Sequence, residues 1–290
     1  MRAVLYLGAS SWKFPSWRGL VYSDRASRPT LTEYAARFGC VEIDQWYWSL
    51  FDPDQPPVLP KPEVAAEYAA SVPTHFRFGV KLPDALTLTH YRPRPGVPAA
   101  PPPNPYFLSA DLLRLFLDRI APMRPLLGPL MLQFGYLNRQ MMASERAFRE
   151  SLSRFLEKVP SDYTWAVECR NPAWLTPAFL DFLRERNTGF VALRGYYMPP
   201  FFDLLRQHLH RLPPNVILRL QAGGRADMER RSGGRWSRLI EPREAELDLV
   251  ADTLRRLGDH GRTVWVFVNN HYEGSAPLTL ARIQERLETT

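Results

Sequence analysis

The sequence predicts an α/β protein: a single (β/α)8 TIM-type barrel with long strand-to-helix loops. Three observations predict it. Short β-type runs alternate eight times with helix-like stretches, the pattern of a parallel sheet closed into a barrel. Helix-to-strand connections are short and strand-to-helix connections mostly long, as in barrels that build their sites at the C-terminal face. The length, 290 residues, suits one such unit, since these barrels commonly run to roughly 250 residues.

Each element has its own signal. The first strand reads over 4–9 (VLYLGA), with a long connection, 10–29, before a helix over 30–38. A strand over 40–44 (CVEID) leads through 45–61 to a helix over 62–71. The third strand, 76–81 (FRFGVK), precedes the longest connection, 82–106, with seven prolines between Pro93 and Pro105. Inside a repeat, that composition reads as a semi-rigid lid or wall rather than a linker. A helix over 107–121 and a strand over 129–134 (PLMLQF) follow. Ser144 opens a helix over 144–158, and Thr176 before Pro177 opens one over 177–186 around the strand at 164–169 (TWAVEC). Strands over 189–193, 215–220 and 263–268 alternate with helices over 201–211, 242–257 (Pro242 at its start) and 275–288. No segment reads as a domain boundary, so residues 1–290 are expected to form one domain.

Composition narrows the class. Hydrophobic residues make up 45% and charged residues 23%, which excludes general disorder. No run approaches the roughly 18 consecutive apolar residues of a membrane span, and the N-terminus enters strand-like sequence directly. A cytoplasmic protein without a membrane partner is the expectation. Cys40 and Cys169 form no disulfide framework or metal-finger spacing, and both are expected as reduced, buried thiols. Net charge is +7, carried by 33 Arg and 4 Lys against 30 acidic residues. That admits a phosphate or nucleic-acid partner without demonstrating one. The sequence does not set an oligomeric state.

Strand parity locates the chemistry, because alternate residues face opposite sides of a sheet. Val41 and Ile43 oppose Cys40, Glu42 and Asp44; Phe76, Phe78 and Val80 oppose Arg77, Gly79 and Lys81. Trp165, Val167 and Cys169 oppose Ala166, Glu168 and Arg170; Val216, Leu218 and Leu220 oppose Ile217, Arg219 and Gln221. Gln133 joins the polar face, the sixth strand leads to Arg194, and the eighth to Asn269. With apolar faces on the helices, the polar sets converge inside the barrel mouth. The expected inventory is Glu42, Asp44 and Glu168 against Arg77, Lys81, Arg170, Arg194 and Arg219, a pocket of net charge +2 suited to phosphate or carboxylate. The plainer reading is an ion-pair network that satisfies itself. Loop aromatics crowd the same end, among them Trp12, Trp17, Trp46, Tyr47, Trp48, Trp174, Tyr196, Tyr197 and Trp236. They read either as loop packing or as a platform for sugar or base rings.

These residues carry a family resemblance. Gly8-Ala9-Ser10-Ser11-Trp12 with Trp17-Arg18-Gly19, Val41-Glu42-Ile43-Asp44 with Tyr47, Phe76 through Lys81, Gln133-Phe134, Val167-Glu168-Cys169-Arg170 with Trp174, Arg219, and Phe267-Val268-Asn269-Asn270-His271 resemble the YecE-like family, domain of unknown function 72. The resemblance spans nearly the whole chain. It implies a TIM-type barrel and a cytosolic protein, and it implies no particular reaction. A link to endonuclease-IV-like barrels is an analogy of fold. Asp44 stands where the family usually has Asn, Gln221-Ala222 where a His-Gly pair commonly follows the seventh-strand Arg, and Gly135 where Pro is usual. The first two departures fall at the mouth and point to a shifted substrate or a lost activity.

Parity and motifs together assign catalytic candidates Glu42, Lys81 and Glu168. The ligand-binding candidates are Ser10, Trp12, Asp44, Gln133, Arg170, Arg219, Asn269, Asn270 and His271. Six scattered histidines argue against a zinc cluster, so no tightly bound cofactor or metal is expected. The sequence leaves room for one weakly held divalent cation at Glu42, Asp44 and Glu168. No nucleophile elbow, phosphate loop or dinucleotide fingerprint occurs. The best fit is acid/base chemistry on a small anionic ligand, phosphorylated or sugar-like. Glu42 or Glu168 would accept a proton if burial raised its pKa, and Lys81 would act as acid or electrostatic stabiliser. A Schiff-base role for Lys81 ranks lower, because it requires a strongly depressed pKa among other cations. The alternatives are an endonuclease-IV-like nucleic-acid-processing enzyme and a non-catalytic ligand-binding barrel. The segment 225–238 carries five Arg and reads as a solvated loop, or more sharply as a lid over an acidic ligand.

Overall fold

In a computed structural model, residues 4–24, 29–93, 100–195, 197–221 and 224–289 are described. Tyr196, Ala222, Gly223 and positions 94–99 of the proline-rich segment lie outside them.

Eight parallel strands close a barrel in sequence order: β1 (Leu5–Ala9), β2 (Cys40–Ile43), β3 (Arg77–Lys81), β4 (Leu127–Phe134), β5 (Thr164–Cys169), β6 (Gly189–Arg194), β7 (Asn215–Leu220) and β8 (Thr263–Val268). β8 closes on β1 with Leu5 opposite Val264 and Ala9 opposite Val268. Nine α-helices are described: α1 (Leu31–Ala35), α2 (Pro62–Ala70), α3 (Ala110–Arg119), α4 (Glu145–Leu156), α5 (Pro177–Glu185), α6 (Phe202–Gln207), α7 (Arg225–Ser232), α8 (Glu244–Asp259) and α9 (Ala276–Glu288).

Local chemistry explains the helix starts. Ser144 Oγ accepts from the Ala147 amide at 3.1 Å, and Thr176 Oγ1 accepts from the Phe179 amide at 3.3 Å, each satisfying a first-turn N–H. Helices α4 and α5 then turn Phe148, Leu152, Phe179 and Leu183 onto the sheet, where Phe134 meets Phe148 edge to face. Several expectations change. The first helix stops at Ala35, well short of residue 38. The stretch over 201–211 breaks after Gln207 into a 3-10 turn, Leu209–Arg211. The helix expected from Pro242 starts at Glu244. The segment read as a loop over 225–238 contains α7. It is polar all round, buries only Met228 and Ser232, and is bracketed by Gly224 and Gly233 with φ of +78° and +59°. Those left-handed positions suit glycine and end the helix sharply at Gly233.

The barrel interior has two unlike halves. Near the N-terminal end the Tyr6 and Trp265 rings stack 3.9 Å apart, with Cys40, Met131, Ala166, Val191, Ile217 and Phe267 packed around them. Glycine makes this possible: a Cβ on Gly79 would stand 2.4 Å from the Phe267 ring, and one on Gly8 only 2.1 Å from the Cys40 carbonyl oxygen. Cys40 is thus inside the barrel, whereas Cys169 packs on the helix side of the sheet; both are free and buried. No described helix is long and apolar enough to cross a membrane.

Candidate functional site

At the C-terminal end of the interior, Arg219 on β7 is the centre. Its Nε and Nη2 each donate at 2.7 Å to the two oxygens of Glu42 on β2. Nη1 donates to Glu168 Oε2 at 2.5 Å and to Gln133 Oε1 at 3.0 Å. Arg170 Nε donates to Glu168 Oε1 at 2.7 Å. All four carboxylate oxygens of Glu42 and Glu168 therefore accept from guanidinium nitrogens. Glu42 is 0% exposed, Glu168 1% and Arg219 2%, so this layer is dry. Burial opposes ionisation of Glu168, but Arg219 and Arg170 outweigh it and hold the carboxyl at about 2. The proton acceptor expected from a burial-raised Glu168 is thus corrected: its cationic neighbours decide. Arg219 itself is held above its ordinary value, since Glu42 and Glu168 more than offset its burial.

A second tier is only partly buried: Asp44, Lys81, Arg170, Asn269 and His271. The Lys81 ammonium lies 4.0 Å from the centre of the Tyr47 ring, and among the described residues no carboxylate is within salt-bridge distance of it. Burial, reinforced by the Arg219 charge, lowers its pKa to about 8 against the pull of Glu42, Glu168 and Asp44. Asp44 is raised, first by burial and then by Glu42. The sequence names Tyr47 as a loop aromatic and as part of the family motif but assigns it no place in the site, and it does not point to Asp84. Asp84 is fully buried and accepts from the Ser49 amide at 2.9 Å, the Ser49 hydroxyl at 2.7 Å and the Leu50 amide at 3.0 Å. Its own amide donates to the Tyr47 carbonyl at 2.7 Å, so it fixes the loop that sets Tyr47 under Lys81. An acidic residue followed by Ala-Leu directly after Lys81-Leu82-Pro83 was the available signal.

Two expected members are elsewhere. Arg77 begins β3 at the N-terminal end, where Nη1 donates to the Thr74 and Phe76 carbonyls, both at 2.8 Å. Arg194 pairs with Glu246 of α8 at 2.8 and 3.0 Å. Three carboxylates then face three cations at the mouth, and the expected net +2 becomes zero. The remaining candidates divide. Trp12 is buried edge-on against Tyr68 and lines a flanking cleft of about 650 Å³ between the β1–α1 connection and α2, with Lys13 Nζ donating to the Tyr68 hydroxyl at 2.8 Å. Asn270 is buried, and its Oδ1 accepts from the Ala276 amide at 2.8 Å, capping α9. Among the described residues, Asn270 Nδ2 and Ser10 Oγ are buried without a hydrogen-bond partner. His271 is fixed between Asn269 Oδ1 and Glu229 of α7, 3.2 Å from the latter, with Trp236 edge-on at 4.9 Å. Burial lowers its pKa. Among the loop aromatics, Trp17 and Tyr272 are fully buried packing, whereas Trp48, Tyr136 and Tyr197 are exposed. Among the described residues, no group of three or more His, Cys, Asp or Glu is arranged to hold a metal ion.

A closed eight-stranded barrel with a charged C-terminal mouth defines a TIM-type (β/α)8 protein. The chain belongs to the family described as Protein of unknown function DUF72, whose model matches residues 6–290. Its fold is similar to that of a DUF72 family protein from Enterococcus faecalis V583, at 21% identity and TM-score 0.70, covering 99% of this chain and 96% of that one. It is equally similar to a DUF72 family protein from Thermotoga maritima MSB8, at 21% identity and TM-score 0.69, covering 98% of this chain and 99% of the other. No curated protein matches the sequence. At these identities the likeness concerns fold alone.

Proposed function

We propose that the protein is an acid/base enzyme acting on a small anionic ligand, phosphorylated or sugar-like, received at the C-terminal mouth by Lys81 and Arg170. The observation that supports this reading is the division of labour between the two tiers. Glu42, Glu168 and Arg219 consume one another, so they hold geometry and set the field rather than meet the ligand. Lys81, Arg170 and Asp44 are the charged groups a ligand reaches, and together they carry net +1. Lys81, with its lowered pKa, exchanges a proton near neutrality. Asp44, raised by burial, is its carboxyl counterpart. Arg170, anchored through Nε on Glu168, is oriented as an anion clamp. A divalent cation at Glu42, Asp44 and Glu168 does not fit, because the oxygens of both glutamates already serve guanidinium groups. A cytoplasmic setting belongs to the same reading.

The nucleic-acid reading gains little from three of the five arginines of 225–238. Arg225 pairs with Glu229, Arg230 with Asp227, and Arg231 with Asp227 and Glu241, so these charges are partly neutralised locally. A thermal-shift screen of sugar phosphates, nucleotides and oligonucleotides, with and without Mn²⁺ or Zn²⁺, tests the proposal. A small phosphate or carboxylate should raise Tm, and Lys81→Met or Arg170→Met should abolish the shift. Stabilisation by oligonucleotides alone, falling steeply with salt, would replace this reading with the nucleic-acid one.

A further inference from the structure

We propose that Lys81 is an imine-forming amine, and that the ligand of this mouth is a small aldehyde or ketone bearing a carboxylate or phosphate. The inference deepens the reading above and rests on it. It begins from an asymmetry among the cations. Arg219 is bound on three sides by Glu42, Glu168 and Gln133, and Arg170 by Glu168. Lys81 has an aromatic face at 4.0 Å where the others have carboxylates. A ring face holds an ammonium by only about 0.5–2 kcal/mol, so a proton leaves Lys81 more readily than it would leave a salt-bridged amine. The group stands at the C-terminal end of β3, partly open to the mouth, in surroundings otherwise buried. A desolvated lysine beside a second cation is the usual way an amine becomes nucleophilic near neutral pH. The lowered value near 8 agrees with that geometry.

The neighbours complete the chemistry. The neutral Lys81 nitrogen attacks the carbonyl carbon, and the carbonyl π pair becomes an alkoxide. Protonation of that oxygen and loss of one proton from nitrogen give a carbinolamine. Its hydroxyl leaves as water, with a proton supplied by the Asp44 carboxyl. The nitrogen lone pair closes the C=N bond and leaves an iminium; Asp44, now a carboxylate, regains its acid form when a proton returns from solvent. No oxidant or reductant is needed. Asp44 is suited to carry that proton because burial and Glu42 favour its protonated form. Arg170, tied to Glu168, would hold the anionic end, and Tyr47, on the loop fixed by Asp84, carries the amine on its ring face.

The chain provides its own controls, because it has only four lysines and the other three, Lys13, Lys61 and Lys158, are exposed. The test incubates the intact protein with pyruvate or dihydroxyacetone phosphate, adds borohydride, and maps the reduced adduct by peptide mass spectrometry. Melting temperature is measured in parallel with the same compounds and with inorganic phosphate. The expected result is one adduct on Lys81, rising with pH to a midpoint near 8. Hydroxyacetone, which lacks the anion, should give about tenfold less. Lys81→Arg should lose the adduct while keeping the charge and the fold, and Asp44→Asn should slow its formation. Label spread over Lys13, Lys61 and Lys158, or persisting in Lys81→Arg, would overturn the inference. A rise in Tm with these anions but no adduct would also overturn it, leaving the anion-binding mouth intact. No rise in Tm and no adduct would end both readings.

Discussion

At its N-terminal end the barrel interior is closed by Tyr6 stacked on Trp265 beside Phe267. At its C-terminal end the same ring of strands is filled by Glu42, Arg219, Glu168 and Gln133. Both fillings come from the same positions two residues apart: Cys40 then Glu42, Ile217 then Arg219, Ala166 then Glu168. Apolar packing is non-directional, so the lower half tolerates exchanges that conserve volume. The upper half is directional. Each carboxylate there was taken out of water at a cost of several kcal/mol, which only its guanidinium partners offset. The lower half supplies cohesion; the upper fixes a few atoms relative to one another and places the partly buried tier above them.

The largest expected effect tests that claim directly. Arg219→Ala leaves the buried Glu42 carboxylate unpaired and Glu168 with Arg170 as its one remaining partner, and should cost about 3–5 kcal/mol in urea unfolding. A triple change of Glu42, Glu168 and Arg219 to apolar residues of similar volume should recover most of this while losing ligand binding. If Arg219→Ala cost no more than an exposed substitution, the directional account would be broken.

Acid separates the halves next. Glu168 is held at about 2, below its ordinary value near 4.5. Its contribution, about 3 kcal/mol, is present above pH ~4.5 and is lost as pH falls toward 2. Wild type should lose stability across that window, and Glu168→Gln should show a flatter slope in acid melts. The aromatic plug has no such dependence.

The lower half is sharpened by adding atoms. Gly79→Ala presses on the Phe267 ring and should cost about 1–3 kcal/mol. Gly8→Ala meets the Cys40 backbone carbonyl, which cannot rotate away, and should cost more than Gly79→Ala in the same chemical denaturation series. Equal costs would mean that the strand yields as easily as the ring.

The last test belongs to the partly buried tier. Lys81 has its folded pKa lowered to about 8 from 10.5, so the folded state disfavours its charge. Sign follows: the unfolded chain binds more protons between these values, and wild-type stability should rise with pH across 8–10.5 relative to Lys81→Met. Paired alkaline melts check this.

Parity read the faces well and heights poorly. Glu42, Lys81, Glu168 and Arg219 reach the mouth because each follows an inward apolar or small residue on its strand. Arg77 shares their face, but as the first residue of β3 it lies at the wrong end. Arg194 failed for another reason. Strand β6 is apolar on both faces, as buried parallel strands often are, so alternation does not mark its inside. Leu193 faces in, beside Arg219, and Arg194 turns to Glu246. Helix α7 was invisible because a helix that buries only Met228 and Ser232 has no apolar period to detect. Tyr47 came to Lys81 through the tie of its loop to Asp84, a tertiary contact between residues 37 positions apart that no local pattern encodes.

The two cysteines give this chain a pair of clocks. Cys40 is sealed in the barrel lumen, and Cys169 lies between sheet and helices. Burial raises both thiols, Cys169 to about 12, so neither reacts with a labelling reagent until its own layer opens. No other sulfhydryl exists to blur the signal. Shedding helices from an intact barrel would release Cys169 ahead of Cys40, whereas parting of the strands would release both together. The order of modification therefore times, residue by residue, which wall of the protein breathes first.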